Sequence, residues 1–182
     1  MKKKGLAMVL ALVLLAVCAV SGTLAWLTAK SDTVVNTFTT SDIKVELTET
    51  NETYKMVPGC GIHKDPKARV LPGSEECFLF VKLEKSANFD EFLSYEAADG
   101  WTALAGADGV YYRVVPAADI GTAYGVLKGD EVTVKEDVTK AMMNALTDAA
   151  RPALTVTAYA SQLYKDAGTR FTPAEAWANV QQ

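Results

Sequence analysis

The chain has 182 residues, of which 49% are apolar and 22% are charged, and its net charge at neutral pH is −4. This composition is typical of a globular protein and excludes intrinsic disorder and collagen-like or low-complexity classes. The acidic balance gives no indication of a nucleic-acid partner. A single histidine excludes metal and catalytic motifs that need two imidazoles. We therefore expect no metal, no cofactor and no enzymatic activity.

The N-terminus has the three-part layout of a secretory signal peptide. The basic residues Lys2–Lys4 are followed by an uncharged apolar run, Leu6–Val20, and then by small residues. Thr23 and Ala25 provide the small side chains that a signal peptidase requires at positions −3 and −1. We predict cleavage after Ala25 and a mature N-terminus at Trp26.

Two alternatives remain for this leader. The stretch Leu6–Leu27 is just long enough to span a bilayer as an uncleaved anchor. Cys18 is a candidate lipid attachment site, although Val17 stands where a lipoprotein signal places a small residue. With cleavage, the chain divides into a signal peptide, residues 1–25, and a secreted domain, residues 26–182, with 15 basic and 22 acidic groups. A domain of this size buries about 70% of its unfolded surface, which is enough for an independent core.

Two cysteines, Cys60 and Cys77, remain in the secreted domain. In an oxidising compartment an even pair of cysteines predicts one disulfide. Closing this loop contributes about 3 kcal/mol. The alternative is that Cys77 is a small buried hydrophobic residue at the start of a strand, with Cys60 exposed in a loop.

Strand patterns outnumber helix patterns in the secreted domain. Ile43, Val45 and Leu47 alternate with polar residues, which predicts a strand with one buried face. The run Cys77–Glu84 is apolar on both faces at first, so we expect it at the centre of a sheet. Further strands are predicted at residues 54–57, 68–71, 101–104, 109–115, 131–135 and 153–164.

Helical segments are short and few. Residues 88–92 and 138–148 are predicted to form brief helices. Thr172–Glu175 is a capping box with proline at the first helical position, and it predicts a C-terminal helix with Trp177 and Val180 on its apolar edge. Short strands separated by turn signals predict an all-β fold, a two-sheet β-sandwich between the signal helix and this C-terminal helix.

Residues 26–40 form a candidate donor strand after cleavage. They are rich in Thr, Val, Phe and Asn and include only two charged residues. High β-propensity with little charge favours pairing with the sheet edge of another subunit. Val34, Val35 and Phe38 are the side chains expected to fill pockets on that subunit. The alternative is that residues 33–48 form the first strand of their own sandwich.

Several short blocks, in order along the chain, resemble a known group of exported proteins. They are Gly22–Ala29, Asn36–Thr39, Tyr54–Gly59, Lys64–Pro66, Gly73–Cys77, Ala158–Gln162 and Ala176–Trp177. On these residues the chain resembles the TasA/camelysin (CalY)-like family of Firmicutes, whose members are processed by the signal peptidase SipW. The resemblance implies a secreted jelly-roll β-sandwich that forms or joins fibres in the biofilm matrix or at the surface of a Gram-positive bacterium.

The resemblance also implies the partners: the chain itself or a related matrix subunit, and a signal peptidase of the SipW type. Contact with a membrane is expected only through an uncleaved leader. Camelysin-like proteins are also labelled metallopeptidases, but this chain has no HExxH motif, and His63 cannot supply two imidazoles. The leading hypothesis is a structural subunit. The alternatives are a module that binds a surface glycan or protein and, last, a secreted hydrolase.

Overall fold

The structure, a computed structural model, describes residues 42–51 and 54–181. These residues form a mostly β domain with antiparallel sheets and a few short helices. The predicted all-β class is therefore confirmed.

Ten strands and three α-helices follow one another in the described chain. The strands are β1 Val45–Thr48, β2 Gly61–His63, β3 Lys67–Val70, β4 Cys77–Lys85, β5 Leu93–Ser94, β6 Thr102–Ala103, β7 Val110–Val115, β8 Ala123–Gly125, β9 Glu131–Val134 and β10 Leu154–Gln162. The helices are α1 Phe89–Phe92, α2 Lys140–Asn144 and α3 Pro173–Asn179, and short 3-10 turns lie at Ala117–Asp119, Lys128–Asp130 and Asp148–Ala150.

The largest sheet has four antiparallel strands in the order β10-β4-β7-β6. Strands β10 and β4 pair over nine residues, from Leu154 opposite Lys85 to Gln162 opposite Cys77. An unbroken apolar run suits a strand that is covered on both faces. Cys77–Val81 is such a run, and all of it is buried, so the predicted central position of β4 is confirmed.

Two three-stranded antiparallel sheets, β1-β3-β8 and β2-β9-β5, complete the fold. Lys64–Pro66 carries the chain from β2 in one of these sheets to β3 in the other. Within this crossing, the buried Asp65 accepts hydrogen bonds from the backbone N–H and the hydroxyl of Thr50 at 3.0 and 2.7 Å. These bonds favour the charged carboxylate and lower the pKa of Asp65.

All three sheets contribute to one hydrophobic core. The predicted alternation of Ile43, Val45 and Leu47 is confirmed, because all three side chains pack against this core. Its buried members include Leu79, Val81 and Val115 from the four-stranded sheet, Ala68 and Val70 from β3, and Val132 and Val134 from β9.

The opposite face of the four-stranded sheet is aromatic and is covered by α3. Trp177 packs its ring against two residues of that face, with ring centroids 5.3 Å from Phe80 and 5.2 Å from Tyr159. The helix therefore covers apolar surface that would otherwise face solvent, and the predicted apolar edge of α3 is confirmed.

The start of α3 is fixed by the predicted capping box. The Thr172 hydroxyl accepts a hydrogen bond from the Glu175 N–H at 3.3 Å, and the Glu175 carboxylate accepts one from the Thr172 N–H at 2.8 Å. The Lys165 ammonium also donates to this carboxylate. These hydrogen bonds, the one from Lys165 first, lower the pKa of Glu175 to about 2.

Two expectations about the sheets are wrong. Residues 54–57 form no strand, because the ladder with β9 begins only after the Pro58–Gly59 turn. There the Gly59 N–H donates to the Val134 carbonyl at 3.1 Å, and the Val134 N–H donates to the Cys60 carbonyl at 3.0 Å. Two sheets were expected, but the hydrogen bonds define three. The chain crosses at Asp65 from β2 in one three-stranded sheet to β3 in the other.

Candidate functional site

Among the described residues, no strand pairs with the outer edge of β10 in the four-stranded sheet. This strand has nine residues and pairs only with β4, and no further backbone hydrogen bond is made by Leu154–Gln162 within the described chain. Its sequence, LTVTAYASQ, contains neither a charged residue nor a proline. Natural proteins usually protect an edge by making it short, charged or interrupted by proline. Within the described residues the β10 edge has none of these three features, although β1 lies beside it without pairing.

A cavity of about 350 Å³ lies at the N-terminal end of β10. Its apolar wall comes from five separate parts of the chain, and consists of Met56, Ile62, Phe89, Leu93, Val132 and Leu154. The cavity therefore adjoins the open edge at Leu154, and it lies where β2 and β9 of a three-stranded sheet approach that edge. It is an apolar recess next to unpaired backbone.

The charged groups at this cavity already have partners. The Lys64 ammonium lies 2.6 Å from the Glu49 carboxylate, and only 12% of the lysine side chain and 19% of the glutamate side chain are exposed. The same ammonium lies 5.5 Å from the centroid of the Tyr54 ring. Arg151, on the exposed side, is 2.7 Å from Asp148. Since each cation is balanced by a carboxylate, the recess favours an apolar side chain over a charged ligand.

Two groups of predicted site residues lie outside the described residues. These are the cleavage residues Thr23, Ala25 and Trp26, and the donor-strand residues Val34, Val35 and Phe38. The described chain begins at Asp42, three residues before β1, and β1 lies beside β10 without pairing with it. The chain that enters β1 thus arrives near the open edge.

The structure does not contain the disulfide expected between Cys60 and Cys77. Both are free thiols, Cys60 exposed and Cys77 buried. Cys60 lies beyond the Pro58–Gly59 turn, where its carbonyl bonds to β9. Cys77 begins β4 and belongs to the core, and burial raises the pKa of its thiol to about 11. This is the alternative arrangement that the sequence left open.

His63 ends β2, where it is exposed and stands opposite Glu131. Within residues 42–51 and 54–181, no group of three or more His, Cys, Asp or Glu side chains is placed to hold a metal ion. In the same residues, no helix has the length and apolar character needed to cross a membrane.

The sequence did not indicate the cavity. Its lining residues come from positions 54 to 154, and the pairing that unites them, β2 with β9, joins Ile62 to Val132. The one local signal is the long uncharged strand after Pro152, which was predicted as a strand but not as an edge.

Comparison with models of known protein families gave no match for this chain. Comparisons with curated proteins and with solved structures gave no match either.

Proposed function

We propose that this protein is an exported structural subunit that assembles into extracellular fibres by strand addition. One copy would supply residues 26–40 as a donor strand, and the next copy would accept it along β10. The observation that supports this most is the nine-residue uncharged edge lying beside an apolar cavity. Main-chain hydrogen bonds then provide affinity, and side chains entering the cavity provide register.

The donor segment has the length that this edge needs. Nine residues of extended strand cover about 30 Å. The 15 residues of 26–40 can therefore pair along all of β10 and leave several residues as a connection to β1. The cavity has the volume of roughly ten water molecules, which is room for a large apolar side chain such as that of Phe38. Val34 and Val35 are the other candidates for this recess.

The proposal also includes the arrangement of the three sheets and the localisation of the protein. We infer a jelly-roll-like sandwich, in which the four-stranded sheet forms one layer and the two three-stranded sheets form the other across the shared core. The leader supports export with cleavage after Ala25 by a peptidase of the SipW type. The motif blocks support the TasA/camelysin-like family and a place in the biofilm matrix or at the surface of a Gram-positive cell. The proposal needs no catalytic residue.

The first test compares the mature chain, beginning at Trp26, with a form that lacks residues 26–36. Sedimentation and electron microscopy across a range of concentrations should show polymers for the mature chain and only monomers for the deletion. A synthetic peptide of residues 26–40 should bind the deletion form and should block polymerisation of the mature chain. Equal polymerisation of the two forms, or monomers of both, would rule out assembly through this segment.

The second test changes the acceptor. Ala153 lines the cavity and is exposed, so Ala153→Trp should fill the recess and weaken binding of the peptide at least tenfold. Ala103 in β6 is also exposed and lies away from β10, which makes Ala103→Trp the matched control. Equal loss in the two variants would mean that an added indole acts nonspecifically, and the cavity would not be the acceptor.

A separate measurement distinguishes donation from pairing within one domain. If residues 33–48 are the first strand of their own sandwich, the deletion removes part of a folded domain and lowers its urea midpoint. If the segment is a donor, monomers with and without it unfold at the same midpoint. A lowered midpoint that the peptide restores, with no polymer at any concentration, would favour pairing within the domain.

The second candidate function is a binding module for a surface glycan or a protein. It is favoured by the polar rim of the cavity, where Tyr54, Lys64 and Arg151 stand around an apolar floor. A monomer whose melting temperature rises with a glycan, and whose response disappears in Ala153→Trp, would support this candidate over fibre formation.

A further inference from the structure

Arg113 occupies an unusual place on β7, remote in sequence from the residues of the β10 site. Its guanidinium carbon lies 3.6 Å from the centroid of the Tyr124 ring and 5.3 Å from that of the Trp101 ring. The side chain is half-buried. Two aromatic side chains, one of them on β8 of a three-stranded sheet, thus contact the cation that β7 provides.

This guanidinium has no hydrogen-bond acceptor among the described residues. Its Nε is buried without a partner, and no hydrogen bond or ion pair to its other nitrogens is present in the described part of the chain. The other three arginines differ: Arg69 pairs with Glu46, Arg151 with Asp148, and Arg170 with the Tyr164 hydroxyl. A buried Nε without an acceptor is costly, since buried polar groups are normally paired.

The position of the guanidinium is fixed by its surroundings. The Trp101 indole N–H donates to the Gly125 carbonyl at 2.8 Å, which holds this ring in place. Gly100 has a φ of +85°, and a Cβ at that position would lie 3.0 Å from a terminal nitrogen of Arg113. The Asp99–Gly100 turn therefore passes close to the guanidinium in a conformation that suits glycine. A fixed donor group loses little entropy when it binds a ligand.

We propose that Arg113 is a binding site for the carboxylate of a small ligand, such as a sugar acid. The planar guanidinium matches a carboxylate in a two-point hydrogen bond, and both groups are charged. The Tyr124 ring lies 3.6 Å from the guanidinium carbon and covers that face of the group. Asp119 attracts the guanidinium from longer range, and its charge favours a compact monocarboxylate over a polyanion. This site is independent of strand addition, because it uses no residue of β10 or of the cavity.

The experiment is a titration of the intact chain labelled with ¹⁵N-arginine, observed by NMR at the arginine Nε–H resonances. Sodium acetate and sodium glucuronate are the probes, sodium chloride keeps the ionic strength constant, and glucose is the neutral control. We expect both carboxylates to shift the Arg113 resonance in a saturable way, and glucose to leave it unchanged. The Arg170 resonance is the control for weak contacts at an exposed guanidinium, and it should not shift in a saturable way.

Variants of Arg113 distinguish the two-point hydrogen bonding of its planar guanidinium from the effect of its positive charge alone. Arg113→Lys keeps a cation but loses the planar fork, so glucuronate binding, followed by calorimetry, should weaken at least tenfold. Arg113→Met keeps much of the aliphatic bulk and should abolish binding. Arg170→Met is the matched control and should bind as the parent does, and circular dichroism checks that each variant is folded. An unshifted Arg113 resonance, an equal shift with glucose, or unchanged binding by folded Arg113→Met would overturn the proposal.

Discussion

Removal of the Trp177 side chain tests whether α3 is an integral part of the domain. Trp177 is 8% exposed and touches Phe80 and Tyr159 at centroid distances of 5.3 and 5.2 Å. Both distances lie in the favourable range for aromatic pairs. Truncating a large buried aromatic residue to alanine costs about 3–5 kcal/mol, and this figure already includes its ring contacts. We expect Trp177→Ala to lower the free energy of unfolding by that amount.

Such a loss is large against the stability of a typical domain, which is about 5–15 kcal/mol. With a urea dependence of about 2 kcal/mol per molar, the midpoint should fall by about 1.5–2.5 M. Far-UV circular dichroism is the appropriate probe, because the substitution removes a fluorophore. Val114→Ala is the control: Val114 is 42% exposed on β7, and a surface change of this kind stays within about 0.5 kcal/mol.

A loss below about 1 kcal/mol for Trp177→Ala would refute this reasoning, since α3 would then contribute little to covering the sheet. Faster amide exchange confined to residues 163–181 would show that the segment detaches by itself. Either result would leave the aromatic face, and not only the β10 edge, available for association.

Three further predictions concern pH, backbone geometry and thiol reactivity. Since the fold lowers the pKa of Glu175 from 4.5 to about 2, its stabilisation is complete above pH 4.5 and is lost as the pH falls towards 2. Glu175→Gln should therefore lower the melting temperature at pH 6 but not at pH 2, and an equal effect at both would contradict this. Gly109→Ala should lower the melting temperature of the domain more than Gly73→Ala does. Both glycines have positive φ, but only at Gly109 would an added Cβ lie 2.4 Å from a carbonyl oxygen of β4. Similar melting temperatures for the two variants would count against that contact. In the mature chain a thiol reagent should modify Cys60 at once and Cys77 only after unfolding. Burial of Cys77 blocks access of the reagent and disfavours the reactive thiolate. Rapid modification of both cysteines, or of neither, would exclude an exposed Cys60 thiol beside a buried Cys77 thiol.

Features that depend on neighbouring residues were predictable from the sequence. The apolar run of β4, the alternation of Ile43, Val45 and Leu47 and the capping box at Thr172 each arise within a dozen residues, and the structure confirms them. The separation into three sheets was not predictable, because it depends on which distant strands pair, such as β2 with β9 and β3 with β8. The cavity and the aromatic contacts of Arg113 were not predicted either, because they also depend on residues that are distant in sequence. Arg113, Trp101 and Tyr124 lie on different segments, and Arg113 and Tyr124 belong to different sheets, so only the packing of one sheet on another brings them together.

The described strand edges of this domain differ in length and in charge. Among the described sheets, the other edge strands have two to four residues: β6, β5, β8, β2 and β1. The longest of these, β1, carries Glu46, which pairs with Arg69 of its neighbour. A short or charged edge is a poor template for a further strand, so β10 is the one described edge suited to a long partner.

In the proposed assembly, one acceptor edge and one donor segment per copy give a head-to-tail contact. Such a contact uses different surfaces on the two partners, and it extends without limit unless its rotation closes a ring. In this assembly mechanism, pairing between copies depends on concentration. Dilution should therefore return fibres to monomers, and the full-length mature chain should polymerise only above a threshold concentration.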